Sequence, residues 1–134
     1  MKKLILMALT IFIFGCAAAP PTSEQIATAD YGSYPTNYEN AIKSAFEKIL
    51  KDPYSAHYSN WRGPSKAWRI PAMSRFTYFG YRICVDVNAK NSFGGYVGNR
   101  MYYFLLKNGQ IIDFDGGYEF GTIGADQVNK LCQF

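Results

Sequence analysis

The sequence has little of what metal and nucleophilic chemistry requires. Its 134 residues include one histidine, His57, and three cysteines, with no Cys-x-x-Cys spacing. A zinc-type metal site or a cysteine–histidine nucleophile pair therefore has few possible members. The net charge is only +4, and the basic residues are scattered along the chain. Nucleic-acid-binding domains carry clustered Lys and Arg, so we expect no nucleic-acid partner.

The sequence also lacks an apolar run long enough to cross a bilayer. The one sustained run, residues 4–15, has about a dozen residues, whereas a spanning helix needs about 20. Lys2 and Lys3 precede this run. A basic start, a short apolar stretch and a small residue at the cleavage point are typical of a secretory signal peptide. An uncleaved membrane anchor is the alternative interpretation.

The residues that follow the apolar run make the signal more specific. Ile13-Phe14-Gly15-Cys16 resembles the lipobox of bacterial lipoproteins. The resemblance implies cleavage after residues 1–15, a diacylglyceryl thioether on Cys16, and a mature chain held in the membrane by this lipid. Ala17 stands where lipoproteins retained in an inner membrane often carry Asp, so the resemblance implies the outer membrane, facing the periplasm. Several acyl chains anchor firmly, whereas a single chain binds reversibly.

The predicted mature chain fits one small domain with a disulfide. Removing residues 1–15 leaves 119 residues, which include 12 basic and 10 acidic side chains. With Cys16 acylated, Cys84 and Cys132 remain, and an even pair in an exported protein predicts a disulfide. A reactive thiol or a metal ligand is the alternative interpretation for these cysteines. We expect no cofactor.

Residue spacing predicts the first half of the fold. Residues 16–35 contain prolines and small residues without a regular period, which predicts a lipidated flexible tether. Thr36-x-x-Glu39 has the form of a capping box, and the apolar residues after it follow helical spacing. We therefore expect an amphipathic helix that ends before Pro53. Residues 55–61 read as a short strand, and residues 62–74, with one Gly and two Pro, as a loop.

Alternating apolar residues predict the second half as a sheet. We expect long strands over residues 75–87 and 96–107, and Asn108-Gly109 predicts a hairpin into residues 110–114. A weak helical period over residues 125–131 carries Cys132 back towards Cys84. The predicted fold class is α+β over residues 36–134, with one amphipathic helix packed on a three- to four-stranded antiparallel sheet and a short C-terminal helix.

The segment between the two long strands carries the most distinctive motif. Cys84 precedes it by a few residues, and the motif reads Asn88-Ala89-Lys90-Asn91-Ser92-Phe93-Gly94-Gly95-Tyr96. This pattern resembles small exported bacterial proteins of uncharacterised function, as does the upstream Asp52-Pro53-Tyr54-Ser55-Ala56. The resemblance covers about residues 38–103. It implies a shared fold and no particular activity.

Two interpretations of this loop stay open. The side chains of Asn88, Asn91 and Ser92 are suited to satisfying backbone groups in a turn, with the glycines providing unusual backbone angles. Alternatively, the loop contacts a ligand or partner, with Lys90 meeting an anion and the asparagine amides beside it. The candidate binding residues are Asn88, Lys90, Asn91, Ser92 and Tyr96.

Three further groups are weaker candidates for a site. Asp113, Asp115 and Glu119 place three carboxylates in a glycine-containing segment, yet EF-hand spacing is absent and a solvated turn explains them as well. His57 is a structural histidine or a catalytic base. An aromatic platform for sugar or peptide, with core packing as its alternative, has four candidate members: Trp61, Trp68, Tyr102 and Tyr103.

These patterns favour a membrane-anchored envelope lipoprotein without enzymatic activity. Its partners are then the membrane, through the Cys16 lipid, and an envelope protein or peptidoglycan. The alternatives are a small periplasmic hydrolase or metal-dependent enzyme that uses His57 with Asp113 or Asp115, and an inhibitor of a lytic enzyme. No metal or catalytic set in the sequence is complete enough to favour the enzyme.

Overall fold

The structure, a computed structural model, describes residues 18–118 and 122–134. Cys16, the predicted signal peptide and Glu119 lie outside the described residues. The chain forms α1 (Ser23–Thr28), α2 (Tyr38–Ile49), β1 (Asp52–Arg69), β2 (Tyr78–Lys90), β3 (Arg100–Lys107), β4 (Gln110–Gly116) and α3 (Ile123–Leu131). Within the described ranges, each helix is too short or too polar to span a membrane.

The four strands form one antiparallel sheet in the order β1-β2-β3-β4, so each strand pairs with its neighbour in sequence. The two helices α2 and α3 pack against it, and the predicted α+β class is confirmed. The predicted hairpin is also present, because Asn108 and Gly109 both have positive φ (51° and 76°), as a two-residue turn between antiparallel strands requires.

Strand β1 is much longer than the short strand predicted for residues 55–61. It runs for 18 residues, and the loop prediction is wrong for residues 62–69. The pairing register with β2 shifts on both sides of Arg62, so Gly63 and Pro64 are left out of the regular ladder. The pairing resumes at Ser65. Pro53 is tolerated near the start because β1 is an edge strand, where a missing N–H breaks no ladder.

The boundaries of the other predicted elements shift by a few residues. β2 begins at Tyr78 rather than at residue 75, and β3 begins at Arg100 rather than at residue 96. Helix α2 begins after Asn37, so the capping box predicted at Thr36 is wrong. The Asn37 amide oxygen instead accepts from the Asn40 side chain at 2.7 Å. The helix relies on its packed face more than on a cap.

The residues expected to form a flexible tether are in part structured. Helix α1 lies within them, and Thr22 and Gln25 form a reciprocal capping box at its start. Tyr31 is only 7% exposed and meets the edge of the Phe79 ring, with 5.6 Å between centroids. The Ser33 N–H donates to the Asn108 side chain at 2.9 Å. The segment before α2 therefore rests on the sheet.

One face of the sheet packs against α2 through a largely aromatic core. Ile42 and Phe46 are fully buried on α2. The Phe46 ring lies 4.8 Å from the Tyr102 ring and 5.4 Å from the Phe104 ring, centroid to centroid. Buried β2 and β3 residues complete this cluster: Ile83, Val85, Val87 and Leu106. The alternation predicted for β2 is confirmed for this set.

The opposite face packs against α3 and holds the disulfide. Cys84 on β2 and Cys132 after α3 have Cα atoms 5.9 Å apart, and their sulfur atoms are joined. Val128, Tyr103 and Leu105 surround them in a second buried cluster. Because both faces of the sheet are covered, Cys84 and Asp86, which alternate with the apolar residues of β2, are buried as well.

Candidate functional site

The distal loop, which we define as residues 88–98, begins with the last three residues of β2 and carries the candidate binding residues. The side-chain oxygen of Asn91 accepts from the N–H groups of Phe93 and Gly95, at 2.9 and 3.1 Å. Its backbone N–H donates to the Gly95 carbonyl at 2.8 Å, and its carbonyl accepts from Gly94 at 3.0 Å. Asn91 therefore holds the turn of the loop in one conformation.

Asn88 has a similar role at the base of the loop. Its side-chain oxygen accepts from the Gly98 N–H at 3.0 Å, and an isolated bridge joins Lys90 to Tyr96. The side-chain oxygens of Asn88 and Asn91 therefore bond to backbone N–H groups of the loop itself, as the turn interpretation predicts. Ser92 lies exposed on the turn.

The Tyr96 side chain contacts both Lys90 and His57. The Lys90 ammonium lies 5.5 Å from the centre of the Tyr96 ring, within cation–π range. The Tyr96 hydroxyl is 2.9 Å from His57 Nε2. The one histidine therefore supports the loop from β1, where it pairs with Asn88. Of the sequence-predicted candidates, the structure brings Asn88, Lys90, Asn91, Tyr96 and His57 together.

Exposed aromatic rings at this end of the sheet were not among the predicted binding residues. The Phe93 ring is 97% exposed at the turn, and Tyr54 on β1 is 99% exposed. The Ser55 hydroxyl, next to Tyr54, accepts from the Lys90 N–H at 2.9 Å, which ties the start of β1 to the base of the loop. Tyr96, which is half-exposed, adds a third ring at the same end of the sheet.

A second group of polar residues lies between the sheet and α3. Arg69, at the end of β1, reaches Asp113 and Asp115 on β4, with N–O distances of 3.0 and 2.7 Å. Its guanidinium carbon lies 5.2 Å from the centre of the Tyr103 ring. The contact with Asp115 is a hydrogen bond, whereas the contact with Asp113 is close but poorly aligned. Arg69 thereby connects the two edge strands across the sheet.

Burial in this second group shifts the pKa of two side chains upward. Desolvation raises the pKa of Asp113, with the Arg69 charge opposing and Asp115 adding to the rise. Desolvation also raises the pKa of the Tyr103 phenol, which keeps it neutral. The Tyr103 hydroxyl has no hydrogen-bond partner in the described part of the chain. These shifts fit a buried, charge-compensated cluster.

The proposed enzymatic residues do not meet. His57 lies on β1 and contacts Tyr96. Asp113 and Asp115 lie on β4, the opposite edge strand, and both are paired with Arg69. Over residues 18–118 and 122–134, no three His, Cys, Asp or Glu side chains are grouped as metal ligands. Glu119, the third carboxylate of the calcium hypothesis, lies outside the described residues.

The aromatic platform is also not formed. Tyr102 and Tyr103 are buried on opposite faces of the sheet, at 7% and 1% exposure. Trp61 packs between Tyr38 and Tyr58, with centroid distances of 5.8 and 6.0 Å. Core packing therefore accounts for these three residues, and Trp68 stands apart near the end of β1.

A cavity of about 480 Å³ lies between the start of α2 and the turn from β3 to β4. Hydroxyl, amide and aromatic side chains line it, and no Asp, Glu, His, Lys, Arg or Cys does. A hydroxyl without a neighbouring base is a poor nucleophile. Among the residues that line this cavity, the hydroxyls therefore have no base to activate them.

Comparison with known proteins adds no relative: no protein-family model, no curated protein and no solved structure matches this chain. The likeness of the residue 88–96 motif to small exported proteins stays a prediction.

Proposed function

We propose that this chain is a lipid-anchored protein of the bacterial cell envelope, without enzymatic activity, that binds a protein or cell-wall partner through its distal loop. Cys16 is the lipid attachment site in this proposal, and the outer membrane, facing the periplasm, is the location. The lipobox-like Ile13-Phe14-Gly15-Cys16 supports the anchor. The geometry of the distal loop supports the binding role.

The observation that carries the binding role is the exposure of Phe93. Its ring is 97% exposed, although the turn beneath it is fixed by the hydrogen bonds of Asn91. A large ring on an ordered turn loses little conformational freedom on binding, so most of the free energy of its burial is retained. Aromatic side chains are also enriched among the residues that dominate interface energetics.

The surroundings of Phe93 suit an interface. Tyr54 and Tyr96 add exposed aromatic area at the same end of the sheet, and Lys90 provides one positive charge at the base of the loop. An apolar centre with a polar border is the usual anatomy of a protein-binding surface. The polar atoms of Asn88 and Asn91 contribute by holding the loop, so we expect the rings to make the decisive contacts.

The same observations favour binding over catalysis. A general base has to lie within hydrogen-bond reach of the group that it activates. Among the described contacts, His57 reaches the Tyr96 hydroxyl but neither Asp113 nor Asp115, which Arg69 occupies. A binding surface requires no such assembly.

A pair of serine variants tests the binding role. Phe93→Ser removes the ring from the distal loop, and Ile123→Ser is the matched control, since Ile123 is 89% exposed on α3. Two assays are used with the full-length protein: capture of a partner from solubilised envelopes of its own cell, and co-sedimentation with purified peptidoglycan. We expect Phe93→Ser to lose whichever of these interactions the wild type shows. Ile123→Ser should retain it.

Two results would contradict the proposal. Equal retention by Phe93→Ser and wild type excludes the distal loop as the binding surface. A Cys16 peptide of unmodified mass in the mature protein excludes the anchor. A lytic enzyme among the captured proteins, with its activity lowered by the wild-type chain, identifies the partner class as that of an inhibitor.

A further inference from the structure

The connection between β1 and β2 exposes large apolar side chains. This hairpin tip, residues 70–77, includes Met73 and Phe76, which are 105% and 74% exposed. Trp68, just before it, is 36% exposed. Isolated exposed apolar residues are common, but two or three large ones grouped on a projecting hairpin mark a surface that contacts something apolar.

Along the sequence, the charged residues close to the hairpin tip are basic. No Asp or Glu occurs between Asp52 and Asp86, whereas Lys66 and Arg75 lie next to or within the tip. Arg69 is compensated by Asp113 and Asp115. Exposed apolar side chains accompanied by Lys and Arg are the combination that binds the surface of an anionic bilayer.

The start of the described chain lies beside this tip. A groove of about 420 Å³ is lined by Ala19, Pro21, Thr77, Phe79 and Lys107, among others. Ala19 and Thr77, the last residue of the tip, therefore border the same groove. Residues 16 and 19 are separated by three peptide units, which span at most about 11 Å.

The segment after Ala19 is fastened to the same part of the sheet. The Tyr31 hydroxyl donates to the Ile26 carbonyl at 2.8 Å, and the Lys107 ammonium lies 3.1 Å from the Asp30 carboxylate. The Tyr31 ring packs on Phe79. The tether is therefore short, and a lipid on residue 16 keeps this end of the domain against the bilayer.

We infer that the hairpin tip inserts Met73 and Phe76 into the headgroup–acyl boundary of the membrane that holds the Cys16 lipid. This inference rests on the proposed anchor and adds a second, protein-based contact with the same bilayer. Apolar side chains at such a boundary lie about 5–10 Å deep. Arg75 lies between Met73 and Phe76 in the sequence, and its guanidinium contacts the lipid phosphates.

The inference also sets the direction of the domain. β2 runs from the hairpin tip to the distal loop, and its 13 residues extend for about 40 Å at the rise of a strand. A membrane-bound tip thus holds Phe93 away from the bilayer, on the side where an envelope partner is accessible. The two exposed apolar surfaces then have different contacts.

Tryptophan quenching tests this contact. Phe76→Trp and the matched control Phe93→Trp are made in the full-length chain, produced in a bacterial host that acylates lipoproteins, and reconstituted into phosphatidylethanolamine–phosphatidylglycerol vesicles. Bromine on the upper acyl carbons quenches nearby indoles. After subtraction of the wild-type signal from Trp61 and Trp68, we expect strong quenching of Phe76→Trp and none of Phe93→Trp. Thermal unfolding checks that both variants fold.

The outcomes separate this inference from the proposed anchor. Equal quenching of the two variants, or none of Phe76→Trp, overturns the insertion of the tip, while an acylated Cys16 peptide in the same sample leaves the anchor intact. An unmodified Cys16 peptide overturns the anchor and the insertion together. Replacing phosphatidylglycerol with a neutral lipid should weaken the quenching of Phe76→Trp, since Arg75 then loses its anionic contacts.

Discussion

The two faces of the sheet are covered by different chemistry. On the α2 face, Phe46 inserts among the rings of Tyr58, Tyr102 and Phe104, and the contact is almost entirely apolar. On the α3 face, a disulfide and the Arg69 ion pairs stand beside a smaller apolar cluster. One face is therefore held by packing, and the other by a covalent bond and charge.

This difference shows where a partner has access. Helices cover both faces, and seven of the thirteen large apolar side chains that are exposed in the described residues lie at the two ends of the β1–β2 hairpin, around the hairpin tip and the distal loop. The α2 face should respond to the loss of volume, whereas the α3 face should respond to reduction and pH. Changes to either face are therefore expected to alter stability first and binding only through unfolding.

The largest effect is expected on the α2 face. Phe46→Ala removes a ring with no exposure, and such a change costs about 5 kcal/mol of unfolding free energy through lost burial and the cavity left behind. Urea unfolding followed by circular dichroism measures it. Ile49→Ala on the same helix, where the side chain is 41% exposed, should cost much less. Equal losses would show that the packed core is elsewhere.

The next effect is expected from the disulfide on the α3 face. Cys84→Ala with Cys132→Ala opens a connection of 48 residues, and the chain-entropy argument gives a loss of about 4 kcal/mol. Both sulfur atoms are buried, so alanine avoids leaving a buried hydroxyl. Wild-type protein in a strong reductant should show a similar loss. An unchanged urea midpoint in both samples would contradict a structural role for the bond.

A smaller loss is expected from Arg69. Arg69→Met leaves Asp113 and Asp115 without compensation, and their side chains are only 15% and 14% exposed, so we expect a loss of about 3 kcal/mol. Adding Asp113→Asn and Asp115→Asn should restore most of it, since the uncompensated charges are then gone. Arg75→Met, on the exposed hairpin tip, is the control. If the triple variant does not regain stability, the loss comes from the missing packing of the Arg69 side chain and not from uncompensated charge.

The smallest effect concerns the pH dependence of Asp113. Desolvation raises its pKa in the folded state, so the unfolded chain releases this proton at a lower pH. This group therefore contributes stability that falls as pH rises from the ordinary aspartate pKa, about 3.9, through the folded-state value. Between pH 3 and 6, the urea midpoint of Asp113→Asn should rise relative to wild type. If the midpoint of Asp113→Asn falls relative to wild type, the attraction of Arg69 outweighs desolvation in setting the pKa of Asp113.

Local signals in the sequence were sufficient for part of this fold. The helical spacing of α2 and the Asn108-Gly109 turn depend on residues close in the chain, and both are present. The capping box at Thr22 has a sequence signature, Thr-x-x-Gln, that could have predicted α1. Thr36-x-x-Glu39 has a similar signature without the cap, because Asn37 and Asn40 pair instead.

Long-range pairing explains what the sequence left open. Gly63 and Pro64 favour a loop by composition, yet the ladder with β2 continues past them through register shifts. Arg69 meets Asp115 across 46 residues, and no local period indicates that contact. In the distal loop, the sequence indicated the turn-forming asparagines, but only the packing of the chain distinguishes the occupied Asn91 amide from the exposed Phe93 ring.

One measurement tests directly whether the two ends of the hairpin have different contacts. A photoreactive phenylalanine analogue replaces Phe76 or Phe93 in the full-length chain, and each variant is irradiated in its own cell. We predict that position 76 forms adducts with lipid, and that position 93 forms adducts with an envelope protein or peptidoglycan. Lipid adducts at position 93, or the same protein adduct at both positions, would contradict this account.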